Sequence, residues 1–74
     1  MTPLELLLSE IRDSEMIKSM IIDNIKKKNK KRMSFNITNL IFYFKTNIVE
    51  IQDEIGISDE RIQKIGINEL SSYL

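Results

Sequence analysis

ITNLIFYFKTNIVEIQDEI, residues 37 to 55, is the stretch that decides the fold class. Its apolar residues recur at alternating spacings of four and three, which is typical of one face of an amphipathic helix. The members of this heptad-like seam are Ile37, Ile41, Phe44, Ile48, Ile51 and Ile55. A strand is the competing interpretation, because residues 40–44 are aromatic and branched. The spacing favours a helix over residues 38–55, capped by Thr38 and ended by Gly56.

A second long helix is expected before this segment, over residues 3–31. Thr2 and Glu5 match a capping box, and Pro3 suits the first helical position. The apolar stripe is interrupted at residues 13–15, where Asp13 or Ser14 could cap a new helix. The pattern therefore predicts either one helix kinked near residues 13–15 or two consecutive helices.

In the C-terminal third of the chain, the pattern of caps and glycines predicts a short helix over residues 58–65 and a terminal turn over residues 68–73. Ser58 and Asn68 are the expected N-caps, and Gly66 separates the two elements. The expected fold is therefore all-α, a single domain at residues 1–74 with three to four helices. Two long helices pack together and are followed by a short C-terminal helical corner.

Composition narrows the function classes. A chain of 74 residues buries little more than ~60% of its unfolded surface, so we expect a homodimer or binding to a larger protein partner. There is no cysteine and no histidine. These absences remove thiolate and imidazole chemistry, so we expect no metal site, no cofactor and no catalytic residues. The sequence predicts that the protein is not an enzyme.

Charge is distributed unevenly along the chain. Residues 26–32 hold six of the eleven positive charges, which leaves five positive against eleven negative charges elsewhere, a balance of minus six. A run of this kind is typical of phosphate contacts, although a solvated helix end that balances an acidic body is the alternative. No aromatic residue lies within the run, so a stacking platform for single-stranded nucleic acid is not expected. The predicted phosphate-binding residues are Lys26, Lys27, Lys28, Lys30, Lys31 and Arg32.

Residues 48–67 contain apolar positions with the spacing of two short crossing helices. The buried positions are Ile51, Ile55, Ile57, Ile62 and Ile65, with Gly56 at the turn and Ser58 as the second cap. On these residues the segment resembles a helix-turn-helix DNA-binding motif. The resemblance implies a recognition helix whose base contacts come from Arg61, Gln63 and Lys64. Residues 62–74 also resemble the second element of a helix-hairpin-helix, which would place the amides after Gly66 near a phosphate.

Two functions follow from these features. The first is a small DNA-binding regulator of transcription or replication, in which duplex DNA contacts the helical corner and the basic run of a dimer. The alternative is a small helical adaptor or inhibitor of phage or plasmid type that binds a protein through an apolar and acidic surface. The expected interface residues are Ile41, Phe42, Phe44 and Ile48, although the same seam could be core.

Localisation is predicted from what the N-terminus and the apolar segments lack. Residues 1–5 show no signal-peptide pattern, and the longest apolar block, residues 40–44, is far below the ~20 residues of a membrane span. We therefore expect a cytoplasmic protein with no membrane partner.

Overall fold

The computed structural model describes all 74 residues and has both helices and strands. Four antiparallel strands form one sheet in the order β1-β2-β3-β4. The predicted all-α class is therefore wrong, and the chain has an α+β fold. The elements are α1 (Pro3–Asp13), α2 (Glu15–Lys27), β1 (Arg32–Ser34), β2 (Thr38–Tyr43), β3 (Ile48–Asp53), β4 (Ile62–Gly66) and α3 (Ile67–Ser72).

The first two helices begin at side-chain caps. The Thr2 hydroxyl accepts a hydrogen bond from the Glu5 amide at 3.2 Å, and the Glu5 carboxylate accepts one from the Thr2 amide at 2.9 Å. These two bonds form the predicted capping box. Ser14 breaks the helical path and caps α2, because its hydroxyl accepts from the Ile17 amide at 3.3 Å. α2 ends at Lys27, four residues before the predicted end, and Lys28 follows in the left-handed conformation with φ 55°.

The segment at residues 37–55 forms a β-hairpin, so the predicted helix over residues 38–55 is wrong. In this hairpin Leu40 lies opposite Ile51, and Phe42 lies opposite Val49. All four side chains are buried on the same face, since alternate residues of a strand point to the same side of the sheet. Branched and aromatic side chains fit such a pleated, half-buried surface better than they fit a helix.

The helix-like spacing arises because the apolar residues belong to both faces of the sheet. An interval of four keeps a strand residue on the same face, whereas an interval of three moves it to the other. Ile41 and Ile48 therefore point away from the face that holds Ile51, and Ile55 is exposed in the loop after β3. The turn that separates the strands ends at Asn47, whose φ of 59° is one that asparagine tolerates.

Residues 48–67, which resemble a helix-turn-helix in sequence, form a strand, a loop and a second strand. Residues 62–66 form β4, which pairs antiparallel with β3 and places Ile65 opposite Val49. Residues 54–61 form the connecting loop, and α3 begins at Ile67, close to the predicted terminal turn. The helix predicted over residues 58–65 and the helix-turn-helix interpretation are both wrong. The amides of Ile55 and Gly56 donate to the Asp53 side chain, and β4 pairs with β3, so this stretch has no helical hydrogen bonding.

The core lies between one face of the sheet and the helices. Apolar residues from α1, α2, α3 and all four strands form a single buried cluster: Leu4, Leu7, Ile11, Ile21, Met33, Leu40, Phe42, Val49, Ile51, Ile65, Ile67 and Leu70. Glu10 of α1 is buried beside them, where its carboxylate accepts bonds from the Thr38 hydroxyl at 2.7 Å and the Asn36 amide at 3.0 Å. This contact ties α1 to the turn between β1 and β2. None of the three helices combines the length and the apolar content needed to cross a membrane.

Candidate functional site

The connector between α2 and β1 is held in place by a single asparagine. Asn24 is buried in α2, and its side-chain oxygen accepts a hydrogen bond from the Lys30 amide at 2.8 Å. Its side-chain nitrogen donates to the Lys30 carbonyl at 2.9 Å. The Lys28 amide also donates to the Asn24 carbonyl at 2.7 Å, which closes the end of the helix. Residues 28–31 therefore follow a defined path although their side chains are exposed.

A groove of about 450 Å³ separates this connector from the turn between β2 and β3. Strand pairing brings the two segments together, since the Phe42 amide donates to the Lys31 carbonyl at 2.6 Å. No carboxylate lines the groove, although eleven acidic residues occur in the chain. We call it the basic groove, and it is lined by Lys28, Asn29, Lys31, Phe42, Tyr43, Phe44, Lys45 and Thr46.

Aromatic rings form much of the wall of the basic groove. Phe42 is anchored in the core and stacks on the half-buried Phe44, with ring centroids 5.3 Å apart and planes 10° apart. Tyr43 is 38% exposed, and the Lys31 ammonium lies 5.5 Å from its ring centroid, within the range of a cation–π contact. Sequence reasoning missed Tyr43 and Lys45 as site residues. The aromatic and branched run at residues 40–44 was the available signal for a strand, but it does not show that this strand pairs beside the basic run.

The six predicted phosphate-binding residues do not share one surface. Only Lys28 and Lys31 line the basic groove. Lys26 and Lys27 occupy the last turn of α2, where the Lys27 ammonium lies 3.2 Å from the Asp23 carboxylate. Lys30 is bound to Asn24 through its backbone, and its side chain is exposed. Arg32 begins β1 opposite Ile41, which places it on the sheet face that the helices leave uncovered.

The three residues predicted to read bases lie on no recognition helix. Arg61 precedes β4, and its carbonyl accepts from the Asp53 amide at 2.8 Å. Gln63 turns toward α1, where its side-chain oxygen accepts from the Leu4 amide at 2.9 Å. Lys64 is exposed on the uncovered face of the sheet, opposite Glu50. The geometry implied by the helix-turn-helix resemblance is therefore absent, and these side chains do not converge.

The four predicted interface residues are divided among three places. Phe42 belongs to the core and also lines the basic groove, as does the half-buried Phe44. Ile41 and Ile48 are half-buried on the uncovered face of the sheet. An interface role for Ile41 and Ile48 stays a prediction, whereas the four residues do not form the continuous apolar seam expected of a helix.

The loop at residues 54–61 is organised by Asp53, which is 3% exposed. One carboxylate oxygen accepts from the amides of Ile55 and Gly56 at 3.0 and 2.8 Å. The other accepts from the amide and the hydroxyl of Ser58, both at 2.7 Å. The Ser58 hydroxyl, together with these backbone amides, lowers the pKa of Asp53 well below its usual range, against the opposing effect of burial.

The same loop presents apolar and acidic side chains to solvent. Ile55 and Ile57 are 50% and 58% exposed, and the carboxylates of Glu54, Asp59 and Glu60 accompany them. We call residues 54–61 the acidic loop. Because β3 runs from the turn beside the basic groove to the start of the acidic loop, these two features occupy opposite ends of the sheet.

Comparisons of the chain with protein families, with curated proteins and with solved structures return no match.

Proposed function

We propose that the protein binds single-stranded nucleic acid in the basic groove. The observation that carries the proposal is the gathering of Lys28, Lys31 and Lys45 around exposed aromatic surface with no carboxylate among the lining residues. Lysine ammonium groups attract phosphates, and aromatic rings provide stacking surfaces for bases of any identity. This combination is typical of single-strand binding and differs from the duplex contact expected of a helix-turn-helix.

The aromatic residues favour a nucleic-acid site over a site for other polyanions. A surface that contacts phosphates alone needs no ring, whereas unpaired bases stack on rings that are open to solvent. Tyr43 is the most accessible ring of the groove, and Lys31 lies beside it.

The test is a fluorescence-anisotropy titration of labelled single-stranded RNA, single-stranded DNA and duplex DNA, at low and moderate salt. We expect tighter binding of the single strands than of the duplex. The groove variant Lys28→Gln/Lys31→Gln/Lys45→Gln should weaken binding and reduce the slope of log affinity against log salt by up to about 2, since each phosphate contact contributes roughly 0.7. Tyr43→Ala should weaken binding about five- to a hundredfold through lost stacking.

A matched control separates the groove from total charge. Arg12→Gln/Lys18→Gln/Arg61→Gln removes the same three charges from residues that do not line the groove, so its affinity should remain within about threefold of that of the wild type. Equal losses in the two triple variants would contradict a site in the groove. Absence of binding by the wild type at low salt would contradict nucleic acid as the ligand.

The second function expected from the sequence, a protein-binding adaptor or inhibitor, also remains a proposal. The feature that supports it is the acidic loop, with exposed Ile55 and Ile57 beside three carboxylates. A pull-down with wild type and with Ile55→Ser/Ile57→Ser would test it. Any partner of this class should depend on the two isoleucines and be insensitive to the three groove lysines.

A further inference from the structure

The acidic loop and the basic groove have complementary chemistry. The loop has two exposed isoleucines, Ile55 and Ile57, with three carboxylates. The groove has three ammonium groups and the aromatic side chains of Tyr43 and Phe44. The groove has no carboxylate. Within the loop Arg61 is the single cationic side chain, and the Met1 ammonium lies 3.1 Å from the Asp59 carboxylate.

The two features of one molecule cannot reach each other. β3 has six residues and separates the turn beside the groove from the loop by about 20 Å at the usual rise of a strand. Both features are also fixed by buried side chains, Asn24 at the connector and Asp53 at the loop. The loop can therefore meet a groove only on another molecule.

We propose that the protein associates head to tail, with the acidic loop of one copy in the basic groove of the next. Glu54 and Glu60 would then face the groove lysines beside Asp59, which is paired with the Met1 ammonium. The two isoleucines would pack on the rings of Tyr43 and Phe44. Oppositely charged patches steer association and fix the orientation of a complex. The apolar contacts remove Ile55 and Ile57 from water, which is the favourable term that remains at moderate salt.

Preorganisation favours this contact. The acidic loop needs little ordering when it binds, because Asp53 bonds to three of its residues and the Asp59 amide donates to the Met1 carbonyl at 2.7 Å. Loops held in their bound conformation lose less entropy on association. A single loop of eight residues is a short contact segment, so we expect an association that is weak and depends on concentration and salt.

A head-to-tail contact uses two different surfaces, so each molecule keeps one surface free and can bind another copy. Repetition of this contact gives open chains or closed rings. Nucleic acid and the acidic loop would compete for the same groove. The proposal rests on the geometry of groove and loop and does not require that nucleic acid binds.

The test is analytical ultracentrifugation from about 10 μM to 1 mM, at low and moderate salt. The wild type should rise from the monomer mass of 8.7 kDa to at least about twice that value, and less so at higher salt. A loop variant, Ile55→Ser/Ile57→Ser, and a groove variant, Lys31→Glu/Lys45→Glu, should each remain monomeric. Circular dichroism of every variant, compared with the wild type, checks that the fold is retained.

Mixing the two variants gives the decisive result. The loop variant keeps an intact groove and the groove variant keeps an intact loop, so the equimolar mixture should form dimers and nothing longer. A symmetric interface would not be restored by mixing in this way. The matched controls are Met16→Ser/Met20→Ser, which removes exposed apolar side chains elsewhere, and Arg12→Glu/Lys18→Glu, which reverses two charges elsewhere. Both should associate like the wild type.

Three outcomes would overturn the proposal: a monomeric wild type at 1 mM and low salt, a mixture that stays monomeric, or a loop variant that associates like the wild type. These experiments contain no nucleic acid, so their failure is distinct from failure of the proposed function. If both proposals are correct, adding a single-stranded oligonucleotide should dissociate the assemblies of wild-type protein, because it competes with the acidic loop for the groove.

Discussion

At each end of the sheet, one buried polar side chain fixes an irregular segment of the backbone, but the two side chains differ in charge. At the basic end, the neutral side chain of Asn24 holds the connector through Lys30. At the acidic end, the charged side chain of Asp53 holds the loop through Ile55, Gly56 and Ser58. The difference shows that a charge run in the sequence does not reveal which charges support the fold. The basic end uses none of the three groove ammonium groups as an anchor, whereas the acidic end depends on one carboxylate.

Asp53→Asn should lower stability more than any change at the basic end. The amide can accept through only one oxygen, so donors on one side of the loop lose their acceptor while the position stays buried. We expect a lower urea midpoint for unfolding than in Asn24→Ala or in any single lysine variant. Glu60→Gln, which removes an exposed charge from the same loop, is the control. Equal midpoints for Asp53→Asn and Glu60→Gln would show that the charge of Asp53 is dispensable.

The contribution of Asp53 should also depend on pH. Because its pKa is lower in the folded protein than the ordinary 3.8, the stabilisation is complete above about pH 4 and is lost as the pH falls further toward the folded pKa. The difference in unfolding free energy between wild type and Asp53→Asn should therefore shrink from neutral pH to acid. Urea titrations of both proteins at several pH values measure it. If this difference in unfolding free energy did not change with pH, the charge of Asp53 would not be what stabilises the acidic loop.

Asn24→Ala should weaken the basic end without this pH dependence. The substitution removes two hydrogen bonds to Lys30 and leaves a small cavity in α2, which should lower the free energy of unfolding by about 1–2 kcal/mol. The loss should be the same at pH 7 and at pH 3, since no charge is involved. Asn29→Ala alters an exposed asparagine of the same connector and should be close to neutral.

The smallest expected effect is that of Lys28→Gly, which should change stability and binding in opposite directions. Lys28 has φ 55°, a conformation that glycine adopts without strain, so Lys28→Gly should raise the free energy of unfolding by about 1 kcal/mol. The same change removes one groove ammonium and should weaken binding of single strands. Lys27→Gly lies within α2 and should lower stability by a similar amount. Opposite signs for these two neighbours in urea unfolding, together with weaker binding of single strands by Lys28→Gly, would confirm that the Lys28 side chain favours binding and destabilises the fold.

The helices were more predictable than the sheet because their signals are local. The capping box at Thr2 and Glu5, and the interruption at Ser14, involve residues within a few positions of each other. The hairpin depends on pairing partners up to fifteen positions apart, such as Thr38 and Asp53. A four-three spacing of isoleucine and phenylalanine satisfies a helix and two alternating strands equally well. Asn47 is a local sign of the turn, but the helical spacing on both sides of it masked that sign.

The candidate site was predictable only in part. Lys28 and Lys31 stand out in the basic run, and the sequence argued against stacking because that run contains no aromatic residue. Pairing of β1 with β2 brings Tyr43 and Phe44 to the lysines. Sequence proximity could not show this contact, since a strand and a turn separate the basic run from the rings.

By itself, the sequence determined the start of α1, the break before α2, the concentration of positive charge and the absence of cysteine and histidine chemistry. These properties depend on residue type and on neighbours within one helical turn. Only the tertiary structure decided which face each isoleucine takes, that Asp53 is an anchor rather than a surface acid, and that the lysines meet aromatic rings. Those outcomes depend on strand register and on buried hydrogen bonds between distant residues, because the free energy of a packed sheet overrides local helical spacing.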